Sequence, residues 1–275
     1  MKFSTVACSK LGLREIQQDR YCYFQVDEKL VLVITDGNGG KGGGYLAEET
    51  TKTVTSESCF VLSQNKDNGD MTEEQIEALG AKALNKATVR AKSIKDLHED
   101  WSKAGTTVTL IIATSNYVGC FWIGDSPAFL YQEGEGLIKL TDPVHTLAEV
   151  LIKDGGSREI LEKQPSLNSI LTECVGQDSP KLDSKVLKIT KPSIIVAGSD
   201  GVLDYFSEAE LTSILEVGLS NPSDLQALTD DLVQKSLDKG SDDNVTVVAS
   251  LILPKGINKE QCLSSITRRI TKLCN

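Results

Sequence analysis

Leu30-Val31-Leu32-Val33-Ile34-Thr35-Asp36-Gly37-Asn38-Gly39-Gly40-Lys41-Gly42 is the stretch on which the fold turns. Its first six residues are β-rich and almost wholly apolar, which reads as a buried strand. The glycine cluster behind them spells GxGxxG from Gly37 to Gly42, and a helix follows over Tyr45 to Leu62. Strand, glycine loop and helix in that order are the local setting of a dinucleotide-binding βαβ unit. Two positions speak against it. Asp36 stands where a pyrophosphate would approach, which is repulsive without a metal. The position about twenty residues on, near Glu57, falls in the helix and not at the end of a second strand. No GxxxxGK[ST] marks a P-loop either.

Outward from this stretch the chain alternates strand blocks with helix pairs. Phe3 to Cys8 and Tyr21 to Val26 read as strands before it. After it, Thr72 with Gln75 forms a capping box ahead of a helix whose apolar stripe is Ile76, Leu79, Ala83, Ala87 and Ile94. Thr107 to Thr114, Val118 to Ile123 and Ala128 to Tyr131 have the spacing of an antiparallel meander. A short helix over Thr146 to Lys153 stops at Gly155-Gly156. Strands Lys185 to Ile189 and Ser193 to Ala197, helices Ser207 to Leu219 and Ser223 to Asp238, and a last strand Val245 to Leu253 complete the order. Strict βαβ alternation is absent, so the class is α+β, with antiparallel sheets and helices outside.

No linker divides the chain. The expected organisation is one domain over residues 1–254, with residues 255–275 a basic amphipathic helix appended to it. Leu263, Ile266, Ile270 and Leu273 form its seam beside Arg268, Arg269 and Lys272. Packing on its own domain is the simpler role for that helix, docking on a partner the other.

Acids outnumber bases by 39 to 29, for a net charge of −10. That excludes a basic footprint for nucleic acid or an anionic membrane. The seven cysteines are scattered and form no CxxC, so neither a disulfide framework nor a cysteine zinc site is expected. No export signal or long apolar run is seen, which points to the cytoplasm.

The chemistry gathers at strand ends. Asp36, Asp125, Asp200 and Asp243 each sit at the end of an apolar strand and beside or near glycine. One such aspartate is usually a turn residue or a cap. Four at equivalent places point to a cation, because a carboxylate there is costly unless paired or ligating. All-oxygen donors suit Mg²⁺ or Mn²⁺, and His98 and His145 lack the spacing of a zinc site. Gly198-Ser199-Asp200-Gly201 is not the GxSxG of a serine hydrolase, and no cysteine begins a phosphatase loop. Arg14, alone, reads as a solvated charge; beside such a centre it is a clamp for a phosphoryl group.

Five blocks, in order and over most of the chain, resemble the metal-dependent protein phosphatases of type 2C (the PPM family). Gly12 to Arg20 resembles G-x-R-x-x-N-x-D-R, and Asp36 to Gly40 resembles D-G-x-G-G. Ala104 to Thr107 with Trp122 to Ser126 resembles the pair G-[ST]-T and G-D-S-R. Ala197 to Asp204 and Gly240 to Thr246 resemble S-D-G-[LV]-x-D and G-S-x-D-N-[VI]-T. Leu140 to Ala148 is similar to T-x-D-H-[ST]-L with one extra residue before His145.

The resemblance implies a four-layer αββα sandwich, two antiparallel β-sheets flanked by helix pairs. It implies two Mn²⁺ or Mg²⁺ ions bridged by Asp36, helped by the Gly37 carbonyl and completed by Asp200 and Asp243, with a third, weaker position at Asp125. Asp19 would orient the attacking water and Arg14 would bind the phosphate. The implied activity is hydrolysis of phosphoserine or phosphothreonine by metal-activated water, without a phospho-enzyme. The implied partner is the phosphoprotein substrate of a Ser/Thr kinase, met by a monomer. The other reading is a weak or inactive relative that binds a phosphoprotein or regulator. Asn38 stands where many members have a histidine proton donor, which leaves water or His145 as the source. Gln17 replaces an asparagine, and Pro127 an arginine. Leu151 to Asp183 corresponds to a variable flap, where substrate selection is expected.

Overall fold

The computed structural model describes residues 3–64 and 70–254. The first half carries β1 (Phe3–Lys10), β2 (Arg20–Val26), β3 (Lys29–Thr35), the two-residue β4 (Gly37–Asn38), α1 (Gly43–Gln64), α2 (Glu73–Lys95), β5 (Gly105–Thr106), β6 (Val108–Ala113) and β7 (Tyr117–Ile123). The second carries β8 (Ala128–Gln132), β9 (Gly136–Lys139), α3 (Leu147–Lys153), α4 (Arg158–Lys163), β10 (Asp183–Lys188), β11 (Ser193–Gly198), the single-turn α5 (Asp200–Leu203), α6 (Glu208–Ser220), α7 (Leu225–Asp238) and β12 (Val245–Ile252).

Two five-stranded sheets have the orders β1-β12-β11-β8-β9 and β10-β7-β6-β3-β2. Every strand pair in them is antiparallel. The two-residue period sorts each strand between two cores. In β3, Leu30, Leu32 and Ile34 point between the sheets, while Val31 and Val33 point to α1 and α2. In β12, Val248 and Ile252 point between the sheets, and Val245, Val247 and Leu251 point to the α6 and α7 side. Three cores thus separate four layers, the expected αββα sandwich. Strands buried on both faces explain why β3 reads as an apolar run from Leu30 to Ile34, and why β6 and β12 are apolar but for Thr109, Thr246 and Ser250.

Helix α2 begins as read: the Thr72 hydroxyl accepts from the Gln75 N–H and the Gln75 side chain accepts from the Thr72 N–H. Its expected stripe, Ile76, Leu79, Ala83, Ala87 and Ile94, is buried together with Leu84 against the second sheet. Each large side chain so buried contributes about 1.5–3 kcal/mol.

The expected meander is corrected. β6 and β7 pair, but β8 leaves their sheet and pairs with β11 and β9. Gly124 turns the chain with a positive φ of 106°. A side chain there would lie 2.7 Å from the Thr107 methyl, so only glycine fits the crossing. The segment Leu151 to Asp183 holds α4 and then returns: the Leu147 N–H donates to the Ile170 carbonyl, and Val175 bridges to Thr106. The helix expected over 255–275 lies outside the described residues. Among the described residues no helix is long and apolar enough to cross a membrane, and the five described cysteines are free.

Candidate active site

One end of the sandwich opens into a cleft of about 970 Å³. Arg14, Asp36, Gly37, Asp125, Asp200 and Asp243 all line it. They come from segments far apart in the chain, each placed by the end of a strand. Asp36 follows β3, Asp125 follows β7, Asp200 follows β11 and opens α5, and Asp243 precedes β12.

Hydrogen bonds lock these ends to one another. The Asp36 N–H donates to the Thr107 hydroxyl at 3.0 Å, and the Thr107 N–H donates to the Asp36 carbonyl at 2.8 Å. The Thr106 hydroxyl donates to that carbonyl too, while the Thr107 and Ser126 hydroxyls bond each other at 2.6 Å. The β3 end is thereby tied to the β7 end. On the other side, the Ser241 hydroxyl donates to the Gly201 carbonyl, and the Asn244 amide spans from the Gln18 N–H to the Leu11 carbonyl. Gly12, at φ 63°, passes so close that a side chain would lie 1.9 Å from the Asp243 carbonyl oxygen. The Gly12 to Arg14 loop and the last aspartate are therefore held by direct backbone approach.

Arg14 is half exposed. Its Nη2 pairs with Asp243 Oδ2 at 2.8 Å and its Nε donates to the Asp242 carbonyl at 3.0 Å. Asp19 does not line the cleft. It is buried, with Oδ2 accepting from the Ser199 hydroxyl at 2.8 Å. Its Oδ1, like Oδ1 of Asp200, finds no hydrogen-bond partner among the described residues.

Burial and mutual repulsion shape the charge. Burial, then the charges of Asp19, Asp200, Asp243 and Asp125, hold the Asp36 carboxyl well above the usual carboxylate range. Asp125 is pushed up by burial and by Asp200 and Asp204. Asp200 is pushed up by burial and by Asp243. Burial raises Asp19 to about 6 against the pull of its Thr246 and Ser199 hydrogen bonds. A set of acids that raise one another, two with an unsatisfied buried oxygen, fits divalent cations with oxygen ligands. Among the described residues no three His, Cys, Asp or Glu side chains close around one point as a finished cage.

Some of the site was not picked out from sequence. Asp204 lines the cleft, and the protein packed around it, then Asp200, raise it to about 6 although its surface is open to the cleft. Its place in the block Ala197 to Asp204 was a usable signal. Lys139 also lines the cleft and carried no motif. His145 is corrected as a proton source. It is buried, its Nδ1 accepts from the Gly124 N–H at 3.0 Å, and its Nε2 therefore carries the proton donated to Asp183 at 2.9 Å. It fixes the turn before Asp125 and is not free to serve the cleft. Gln17 folds back on its own loop, donating to the Ser9 hydroxyl and accepting from the Asp19 N–H.

The family model for protein phosphatase 2C matches residues 12–239. The serine/threonine phosphatase stp of Listeria innocua is 24% identical over 223 residues, covering 81% of this chain and 84% of its own. A bacterial serine phosphatase crystal structure superposes with a TM-score of 0.75 at 19% identity, covering 93% of this chain and all (100%) of that one. The catalytic domain of the protein phosphatase PstP, solved with two manganese ions, gives a TM-score of 0.69 at 23% identity over 91% of this chain and 98% of that one.

Proposed function

The chain belongs to the protein phosphatase 2C family, and from that premise we propose that it hydrolyses phosphoserine and phosphothreonine in a phosphoprotein. The observation that carries this is the convergence of Asp36, Asp125, Asp200 and Asp243 with Arg14 on one cleft. The relatives named serine/threonine phosphatase support the substrate class, and the neighbour solved with two manganese ions supports the cofactor.

In this reading Asp36, the Gly37 carbonyl, Asp200 and Asp243 hold two cations, with Asp125 serving a third, weaker position. Mn²⁺ or Mg²⁺ bound there supplies Lewis-acid activation of water and neutralises phosphoryl charge. Asp19, buried outside the cleft lining with one oxygen on Ser199 and the other unpartnered, would orient a metal-held water from behind the ligands. Arg14 is tethered but half exposed, so it can exchange its hold on Asp243 for the phosphoryl oxygens. Asn38 lines the cleft and cannot donate a proton as an acid.

The test is Mn²⁺-dependent hydrolysis of an aryl phosphate. Asp36→Asn is expected to lower kcat by about a thousandfold, the loss that goes with several kcal/mol of charge stabilisation. Absence of turnover across full Mn²⁺ and Mg²⁺ titrations would overturn the enzyme reading. It would leave the family's fold as a binder of a phosphoprotein or regulator.

A further inference from the structure

The position after Gly124-Asp125-Ser126, an arginine in the family pattern, is Pro127, and it is buried. No cation stands there. The strand it leads into, β8, places Phe129 directly opposite Lys139 of β9. Directly opposed side chains share a face of the sheet, and both residues line the cleft. Lys139 is thus the cation on the wall that Pro127 leaves uncharged. With Arg14 it is one of two cationic side chains among the cleft's described lining residues.

Its backbone is held, and its ammonium is not tied up in an ion pair with any described residue. The β8–β9 pairing fixes the main chain, and the Lys185 ammonium donates to the Lys139 carbonyl at 3.0 Å. Lys139 forms no ion pair among the described residues. Its charge acts on Asp204 without forming an ion pair with it. The strand order puts three spacings between β12, beside Arg14's partner Asp243, and β9. That is about 14 Å of backbone separation. In the reading above Arg14 serves the phosphoryl group, so Lys139, three strands away, is the cation left for a part of the substrate beside it. Elsewhere the cleft rim is acidic, with Glu149, Glu208 and Asp242. An anionic substrate group meets one favourable place on that wall.

We propose that Lys139 is a specificity-determining residue that pairs with a carboxylate side chain flanking the phosphorylated residue of a peptide substrate. This rests on the phosphatase reading above. The test uses phosphonate peptides that resist hydrolysis, carrying a single Glu or a single Lys at each of the three positions on either side of the phosphoserine mimic. Affinities are measured by titration calorimetry in Mn²⁺. At one or more positions the wild type should bind the Glu peptide about three- to fivefold more tightly than the Lys peptide, the range of a half-exposed ion pair. Lys139→Glu should reverse that preference, Lys139→Gln should abolish it, and Lys139→Arg should keep it. Melting curves establish that each variant is folded. A wild type without a Glu preference at any position, or a preference that Lys139→Glu and Lys139→Gln leave intact, overturns the proposal. Aryl phosphate turnover by the wild type is followed separately. If it is absent while the peptide preference still follows residue 139, the catalytic reading fails and the subsite stands.

Discussion

At the scale of single residues, the site concentrates like charges that the fold tolerates only with counter-charge. Asp19 is buried and raised to about 6, above an unfolded value near 3.9. A carboxyl raised on folding stabilises the protein below its unfolded value, and that contribution is lost as pH rises through the folded value. For Asp19 alone roughly 1 kcal/mol of the loss falls between pH 5.5 and 7.5, and Asp36, Asp125 and Asp200 add to it in the same direction. Carboxylates lowered by partners, such as Glu57 with Lys82 and Lys86, titrate below this window and do not oppose it. In chelator, the melting midpoint should therefore fall by at least about 3 °C from pH 5.5 to 7.5. Saturating Mn²⁺ at pH 7.5 should restore it, because a ligand of the native state stabilises by mass action. A flat or rising profile in chelator would contradict the clustering of these acids. Asp36, Asp125, Asp200 and Asp243 were legible from sequence because each follows or precedes an apolar run. Lys139 was not, because a lysine in Glu133-Gly134-Glu135-Gly136-Leu137-Ile138-Lys139 looks like any solvated charge.

At the scale of elements, the β3 end is held by side chains from the β5–β6 and β7–β8 turns. Thr107 is buried and bonds both the Asp36 N–H and the Ser126 hydroxyl. Thr107→Val keeps the shape and strands both partners, which should cost about 1–3 kcal/mol and lower kcat/KM as Asp36 shifts. Thr72→Ala is the comparison, since it removes only the α2 cap, far along the chain from the cleft. It should cost about 1 kcal/mol and leave kcat/KM intact. Melting curves and steady-state kinetics on the two variants separate positioning from stability, and equal kinetic losses would refute the role given to Thr107. Elements with both faces covered were readable as apolar runs. β4, β5 and β9 were not, since Gly37–Asn38 and Gly105–Thr106 become strands only by pairing with each other, and β9 has only Leu137 and Ile138 as an apolar signal.

At the scale of the whole molecule, the described residues of the three cores run from Phe3 to Leu253. We propose that the phosphatase domain is residues 1–254, because the described strands of both sheets and the helices that cover them lie within that span. A chain cut after Pro254 should melt within about 2 °C of the full chain, and a loss of cooperative melting would show that the remainder is part of the folding unit. The alternation of strand blocks with helix pairs determined the α+β class, because apolar periodicity follows directly from which faces are covered. The order of motif blocks determined the family, and the strand-end aspartates pointed to a cation. Only the tertiary structure decided that β8 leaves the sheet of β6 and β7 for that of β11 and β12, that His145 is occupied by Gly124 and Asp183, that Arg14 rests on Asp243, and that Lys139 faces the cleft. The reason is physical. Burial patterns are local and repeat along the chain, whereas strand order, hydrogen-bond partners and the fields of distant charges depend on which segments meet in space.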